Sequence, residues 1–368
     1  MTYTYQAPTR RENSLLTTLK QQARLLALAA AFVLTATQAH AQGCVAIKQM
    51  GGDACSLGGL AQAAEKWEAT VSYEYFRSHR HFVGTDEQEQ RYTAGSEVVN
   101  IVQQLDFNLG YKYSERLSLA VDVPYFHATR SSLYEHDRVH RFTMRSQGLG
   151  DVRAGASYWV IDPHTNPQGN VSVGLGLKLP TGDTNVKDIA HKTTGPVLQS
   201  VDQSIQPGDG GLGVTVSLQS FRRLAPATTL YATGFYLINP KETNGTRRGT
   251  NLASITAYDS VPDQYQVRLG ISHLLIPQHH LTVSLGGRLE GVPALDLIGG
   301  SRGFRRPGVV GSVEPGVSIA TAKNSFSLSI PVAIYRNRTR SYADMQNGGH
   351  GDAAFADFLV SLSYAHRW

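Results

Sequence analysis

The chain has 368 residues, with 34 Lys and Arg against 29 Asp and Glu, a net charge of +5 and two cysteines. So small and diffuse a basic excess gives no footing for nucleic acid, and no C-x-x-C-H or zinc spacing appears, so no cofactor or metal is expected. After the N-terminal region no apolar run approaches the roughly 20 residues a helix needs to cross a bilayer, which excludes a helical membrane protein.

In chain order, Arg10, Arg11, Lys20 and Arg24 precede an apolar run from Leu25 to Ala36 and then Ala39-His40-Ala41. A positive segment, a short hydrophobic segment and an A-x-A site predict a cleavable signal peptide over 1–41. Residues 42–65 are Gly- and Ala-rich and lack strand periodicity, which suits a periplasmic tail or a plug entering a barrel. They carry Cys44 and Cys55. In an oxidising compartment a disulfide between the two is the default, worth about 3 kcal/mol against the unfolded chain. A lipidated Cys44 is the rival reading, weakened because Ala41-Gln42-Gly43 lacks the usual Leu.

From residue 66 to the end, apolar and polar residues alternate. Trp67, Ala69, Val71, Tyr73 and Tyr75 oppose Glu68, Thr70, Ser72 and Glu74, and the run from Val99 to Tyr113 repeats the pattern at greater length. Further runs follow at Leu117–Tyr125, Val152–Val160, Val171–Leu179, Leu212–Leu218, 229–238, Tyr265–His273, Leu281–Leu289, Val309–Ile319, Phe326–Ile334 and Phe358–Trp368. About twelve strands of this kind predict an all-β, antiparallel transmembrane barrel in a Gram-negative outer membrane. The apolar faces carry no charge. The opposite faces carry Glu68, Glu74, Asp106, Lys112, Asp122, Arg153, Lys178, Arg268, Arg288, Glu290 and Glu314, which are expected to line the lumen. A Lys or Arg facing lipid at mid-bilayer costs about 2–4 kcal/mol, which explains the segregation. Pro124, Pro315 and Pro331 cannot donate to a ladder and mark bulges or misplaced boundaries.

Short connections alternate with long ones near 78–97, 128–148, 181–210, 239–263, 291–307 and 337–352. With an even strand count this places short turns and both termini in the periplasm and the long loops outside. The partners expected are the lipid bilayer, lipopolysaccharide and, through the last strand ending at Trp368, the barrel-assembly machinery.

Gly148-Leu149-Gly150-Asp151-Val152 and Gly176-Leu177-Lys178-Leu179-Pro180-Thr181-Gly182-Asp183 resemble the phenol-degradation (MetA-pathway) outer-membrane transporter family. That family is itself similar to the fatty-acid transporter-like channels for hydrophobic compounds. The resemblance covers a minority of the barrel. It implies an outer-membrane barrel that takes up small, often aromatic molecules. The chain departs from the family in its paired cysteines and in the segment from Glu290 to Pro307.

Several constellations carry two readings. The lumen charges either line a polar path or pair and fill the barrel, which at twelve strands lies between small filled barrels and water-filled porins. Gly174, Gly176, Gly270 and Gly286 on that face would leave space. The loop arginines Arg130, Arg138, Arg141, Arg145, Arg302, Arg305, Arg306, Arg336, Arg338 and Arg340 either meet lipopolysaccharide phosphates or gather an anionic solute. The segment Gly299–Pro307 makes either a turn pinned by Phe304 or a backbone anion nest; as a constriction its Arg302, Phe304, Arg305 and Arg306 are the first site candidates. His136 with His140, and His79 with His81, are weak metal pairs. A hydrolase would need a serine and its base at the rim, with His127, Ser131 and Ser132 at hand. The expectation is a channel that passively admits a small, aromatic or hydrophobic solute and is not an enzyme. A structural or adhesive barrel with a filled lumen is the alternative, and an outer-membrane hydrolase the third.

Overall fold

The computed structural model describes residues 65–248 and 253–368. The signal segment, the tail with Cys44 and Cys55, and residues 249–252 lie outside the described residues. Among the described residues twelve long strands close into one antiparallel barrel. They are β1 (Trp67–Val83), β2 (Val99–Lys112), β3 (Leu117–Ser132), β4 (Phe142–Leu149 with Arg153–Trp159), β5 (Gly169–Lys178) and β6 (Gly213–Ala225). The second half is β7 (Thr228–Ile238), β8 (Gln264–Ile276), β9 (Leu281–Val292), β10 (Gly308–Ala320), β11 (Asn324–Ser329 with Val332–Asn337) and β12 (Ala353–Arg367). β12 pairs with β1 from Glu68↔Arg367 to Phe82↔Ala353, so the sheet has no open edge.

The alternation read from the sequence is an inside-out pattern. On β2, Leu105, Phe107 and Leu109 are exposed while Gln104, Asp106 and Lys112 are buried. β5 repeats this with Val173, Leu175 and Leu177 outside and Ser172 and Lys178 inside. Apolar surface in water costs about 25 cal/mol per Å², so a belt of this extent belongs in hydrocarbon. Aromatic rings edge the belt. Trp67 packs on Tyr111 (4.5 Å between centroids) and stacks on Trp368 (6.5 Å) at one end, and Tyr236 stacks on Tyr265 (6.3 Å) near the other.

Residues 113–116, 160–168, 226–227, 277–280 and 321–323 make the short turns. The opposite end carries six loops: L1 (84–98), L2 (133–141), L3 (179–212), L4 (239–263), L5 (293–307) and L6 (338–352). L1 holds a helical turn α1 (Gln90–Thr93), and L6 a helix α2 (Tyr342–Asn347) started by a Ser341–Asp344 capping box. L3 forms a hairpin from Lys187–Lys192 and Gly195–Ser200, followed by a 3₁₀ turn at Gln203–Ile205. Within L4, Thr243–Arg247 pairs with Tyr258–Ser260.

Boundaries differ from the expected ones at the loop end. The loop expected over 128–148 shrinks to 133–141, because β3 and β4 stay paired up to Ser132↔Phe142. β1 runs on to Val83 and β12 begins at Ala353. Here the alternation that marked the strands disappears: on β4 the exposed Thr143 and Arg145 are polar, and on β12 four successive apolar residues, Ala353 to Ala356, are buried. The prolines coincide with interruptions. Pro124 stays within β3, and opposite it β4 breaks between Leu149 and Arg153, with Gly150 N–H donating to the Pro124 carbonyl (2.8 Å). Pro315 faces the break in β11 at Ile330-Pro331, where Ile330 N–H donates to the Pro315 carbonyl (3.0 Å).

Candidate functional site

The polar face of the barrel is a set of buried charges. Of the eleven residues assigned to the lumen, Glu74, Asp106, Lys112, Asp122, Arg153, Lys178, Arg268, Arg288, Glu290 and Glu314 are each at most 5 % exposed, and Glu68 is half-buried. Arg153 stands in register opposite Asp122, 4.0 Å away. Lys178 lies 3.5 Å from Asp151 and also pairs with Asp209 of L3. Arg288 donates to Glu290 (2.6 Å), and Arg268 meets Glu314 (3.5 Å) across Gly286, which has no side chain to intervene. Lys112 pairs with Glu115 (3.4 Å), Glu68 accepts from Arg367 (2.6 Å), and Gln104 donates to both Asp106 oxygens (2.7 and 2.8 Å). Glu74, Asp106 and Asp122 belong to β1–β3 and Arg268 and Arg288 to β8 and β9, on the other side of the ring. Two of the glycines expected to leave space do not. A Cβ on Gly270 or Gly286 would meet the Tyr231 hydroxyl at 2.4 or 2.6 Å, so the buried Tyr231 ring occupies that room.

Above this zone L3 turns into the barrel. Val201 and Ile205 are buried against Phe76, Val102, Phe126, Ala128 and Met144, which project inward from β1 to β4, and against Ala356 and Leu359 of β12. The Ser146 hydroxyl donates to the Ile205 carbonyl, and Gln203 donates to Ser260 of L4 (2.7 Å). An apolar patch on the inner wall, part of which falls in the loop expected over 128–148, is the seat of this loop.

Asp202 sits beside that seat with its side chain fully buried. Arg306 of L5 donates to both its oxygens (2.8 Å each), Arg248 of L4 donates at 3.1 Å, and Arg130 at the top of β3 lies 3.7 Å away. Burial alone would raise the Asp202 carboxyl, but Arg130, Arg306 and Arg248 overcome it and hold it well below the usual carboxylate range. Arg248 also donates to Asp259 (3.0 Å). Burial pushes Asp259 up to about 6 against the pull of Arg248, and the Asp202 charge adds to the rise.

A cavity of about 360 Å³ opens over this cluster, lined by loops L1, L2, L4, L5 and L6. Six guanidinium groups reach its wall, those of Arg91, Arg130, Arg248, Arg305, Arg306 and Arg338, against the carboxylates of Glu135, Asp344 and Asp352. A second space of about 90 Å³ lies between Val102, Phe126, Gln206 and Val292. Arg305 and Arg306 line both, so they form the partition. Phe304 packs against both Arg248 and Arg306, whose guanidinium carbons stand 3.7 and 4.6 Å from its ring centre.

The segment Gly299–Pro307 is therefore neither a bare turn nor an open nest. Phe304 bonds to the L4 hairpin, its N–H to Tyr258 and its carbonyl from Ser260 (2.7 and 3.0 Å). The Arg302 N–H donates to Glu242 (3.1 Å), an internal carboxylate where an external anion was considered. Arg302 is exposed, whereas Arg305 is buried and doubly bonded to Asp296. Sequence reasoning singled out Phe304, Arg305 and Arg306 and passed over Asp202, Arg248 and Asp296. Loop carboxylates are common, and nothing in their spacing signals convergence.

The other candidates disperse. His136 packs against Phe142 and His191 rather than His140, and its Nδ1 accepts from the His191 N–H (3.0 Å). His81 lies 2.7 Å from Asp352, and its Nε2 accepts from Val98 N–H (2.8 Å), while His79 approaches Asp357 (3.7 Å). His127 points outward and Ser132 inward, and Ser131 stands about 13 Å along the strand from His127.

Fold and site together define a transmembrane β-barrel of the bacterial outer membrane, capped by its own loops. No family model and no curated protein matches the chain. Among solved structures it is similar to the COG4313 outer membrane channel from Pseudomonas putida F1, with a TM-score of 0.56 and 12% identity over 83% of this chain and 96% of that one. A Pseudomonas aeruginosa FadL homologue gives a TM-score of 0.42 at 9% identity, over 84% and 92% of the two chains. The CymD monoaromatic hydrocarbon channel gives 0.43 at 11%, over 90% and 95%. The first of these likenesses is one of fold.

Proposed function

We propose that the protein is an outer-membrane channel that passively admits a small solute. The observation that carries this reading is the pair of spaces at the loop end, of about 360 and 90 Å³, meeting at the Arg305–Arg306 partition above a charged lumen. Aromatic or hydrophobic cargo rests on the resemblance to the phenol-degradation transporters. The buried charges supply a polar path, and L3 supplies the constriction. Residues 1–41 act as a signal peptide, residues 42–65 as a disulfide-tied tail or plug, and residues 66–368 as the barrel. The exposed Arg138, Arg145, Arg302 and Arg340 are the side chains to meet lipopolysaccharide, and the strand ending at Trp368 addresses the assembly machinery.

Single-channel conductance of the refolded chain in a planar bilayer, with and without residues 42–65, tests this. Small discrete openings are expected, and a rise on deletion makes that segment a plug. Silence from both forms turns the reading to a structural or adhesive barrel, which L3 packed in the lumen and Tyr231 over its glycines favour. An outer-membrane hydrolase would label at a rim serine with an acyl-type probe, and no labelling is expected.

A further inference from the structure

We propose that the loop-lined vestibule binds a small carboxylate-bearing solute, which competes with Asp202 for Arg306 and Arg248 and so loosens the strap that holds L3 in the barrel. This deepens the channel reading, on which it rests in taking the vestibule as the entrance.

Three observations carry it. The first is the arrangement of charge around the cavity. Six guanidinium groups against three carboxylates face the 360 Å³ space. The balancing carboxylates, Asp202, Asp259 and Asp296, stand behind the arginines with side chains 0–1 % exposed. An anion entering the cavity therefore meets positive charge first. In a partly desolvated site that attraction is far stronger than in water. The volume lies in the range of small-molecule pockets.

The second is geometric. Arg306 holds Asp202 through two parallel bonds of 2.8 Å, the fork geometry by which guanidinium selects a carboxylate. Arg306 and Arg248 are also the less buried of Asp202's partners, with side chains 15 and 25 % exposed, so both reach the cavity. Both also pack on the Phe304 ring, which restricts them in advance. A solute carboxylate can replace that of Asp202 bond for bond.

The third is what Asp202 is joined to. It caps the 3₁₀ turn Gln203–Ile205, accepting from Ser204 N–H (3.0 Å), and Ile205 is the apolar anchor of L3 in the lumen. Taking Arg306 and Arg248 from Asp202 leaves a buried carboxylate with only Arg130, 3.7 Å away, to compensate it, which favours withdrawal of this turn toward water. Occupation of the vestibule and opening of the constriction below it are thus coupled through one carboxylate.

The test uses the full chain in detergent, with benzoate as probe, benzamide as its neutral isostere and inorganic phosphate as the competing oxyanion. By calorimetry benzoate is expected to bind at least tenfold more tightly than benzamide. Arg306→Gln should lose tenfold or more, Arg145→Gln on the outer face should lose nothing, and Asp202→Asn, with the internal competitor neutralised, should bind severalfold more tightly than wild type. Equal binding of benzoate and benzamide, or no gain in Asp202→Asn, overturns the proposal, and tighter phosphate binding overturns the assignment to carboxylate. Should Asp202→Asn fail to fold, hydrogen exchange of residues 201–206 in the wild type decides. Benzoate should speed it and benzamide leave it unchanged, while protection or no effect of benzoate overturns the coupling. Both readouts dispense with a membrane, so a silent barrel can pass them and a conducting one can fail.

Discussion

At the scale of residues the molecule is governed by where its charges find partners. Arg288 and Glu290 are both 2 % exposed and 2.6 Å apart. Removing one member of a buried pair strands the other, at about 3–5 kcal/mol. Glu290→Ala should therefore lower the urea midpoint of the folded barrel by a corresponding amount. The double change Arg288→Met with Glu290→Met should recover most of it, and equal losses from both would show that the pair is not buried as a unit. Asp259 and Asp202 respond to pH in opposite senses. Asp259 titrates near 6 in the fold, above the ordinary carboxylate value, so its cost to stability is present above pH 6 and is relieved as pH falls towards 4. Two units correspond to about 3 kcal/mol. Asp202 lies well below that value, so its contribution is present above about pH 4 and is lost only in stronger acid. Hydrogen exchange in 243–247 and 258–260, corrected for intrinsic rate, should slow between pH 7.5 and 5 in the wild type and stay flat in Asp259→Asn. The same slope in both proteins would remove Asp259 as the source.

At the scale of elements, L3 is a loop that behaves as core. Its seat was not legible in the sequence: Ala128 and Met144 fall in the stretch expected as a loop, and Phe76 and Phe126 lie just past the ends of their alternating runs. Read strand by strand these apolar residues have no evident partner, because the partner lies scores of residues away. Ile205→Ser exposes a hydroxyl to that seat and removes most of the anchor, a change of about 2–4 kcal/mol by analogy with other large-to-small core substitutions. The expected result is a higher and noisier single-channel conductance with an unchanged folded barrel on heat-modifiability gels. An unaltered current would mean that L3 does not set the constriction. The prolines belong to the same scale. Pro124, Pro315 and Pro331 could be seen in the sequence to trouble their strands, but only the pairing shows that each meets a break in its own or its neighbour's ladder.

At the scale of the whole molecule, closure is the decisive event. β1 and β12, some 290 residues apart, are joined along their length, with Trp67 and Trp368 exchanging backbone bonds of 3.1 Å in both directions and Arg367 donating to Glu68. An opened seam would expose unpaired backbone to hydrocarbon, where each unsatisfied group costs several kcal/mol. Deletion of 366–368 should therefore abolish the heat-resistant folded form, and a truncated chain that still closes would show that the seam is held from its loop end alone.

Sequence alone determined the barrel: alternation of period two over lengths suited to a membrane, charges confined to one face, and short and long connections in turn. It assigned side chains to the lumen on the same ground, since on a strand the face of a residue follows from its parity. It could not determine which charge pairs with which, that Tyr231 fills the room left by Gly270 and Gly286, or that Asp202 gathers arginines from β3, L4 and L5. Most of those contacts depend on which strands are neighbours and on where loops without periodicity fold, and neither is written in the alternation. Only the closed tertiary structure brings them within bonding distance and buries them where charge must be compensated.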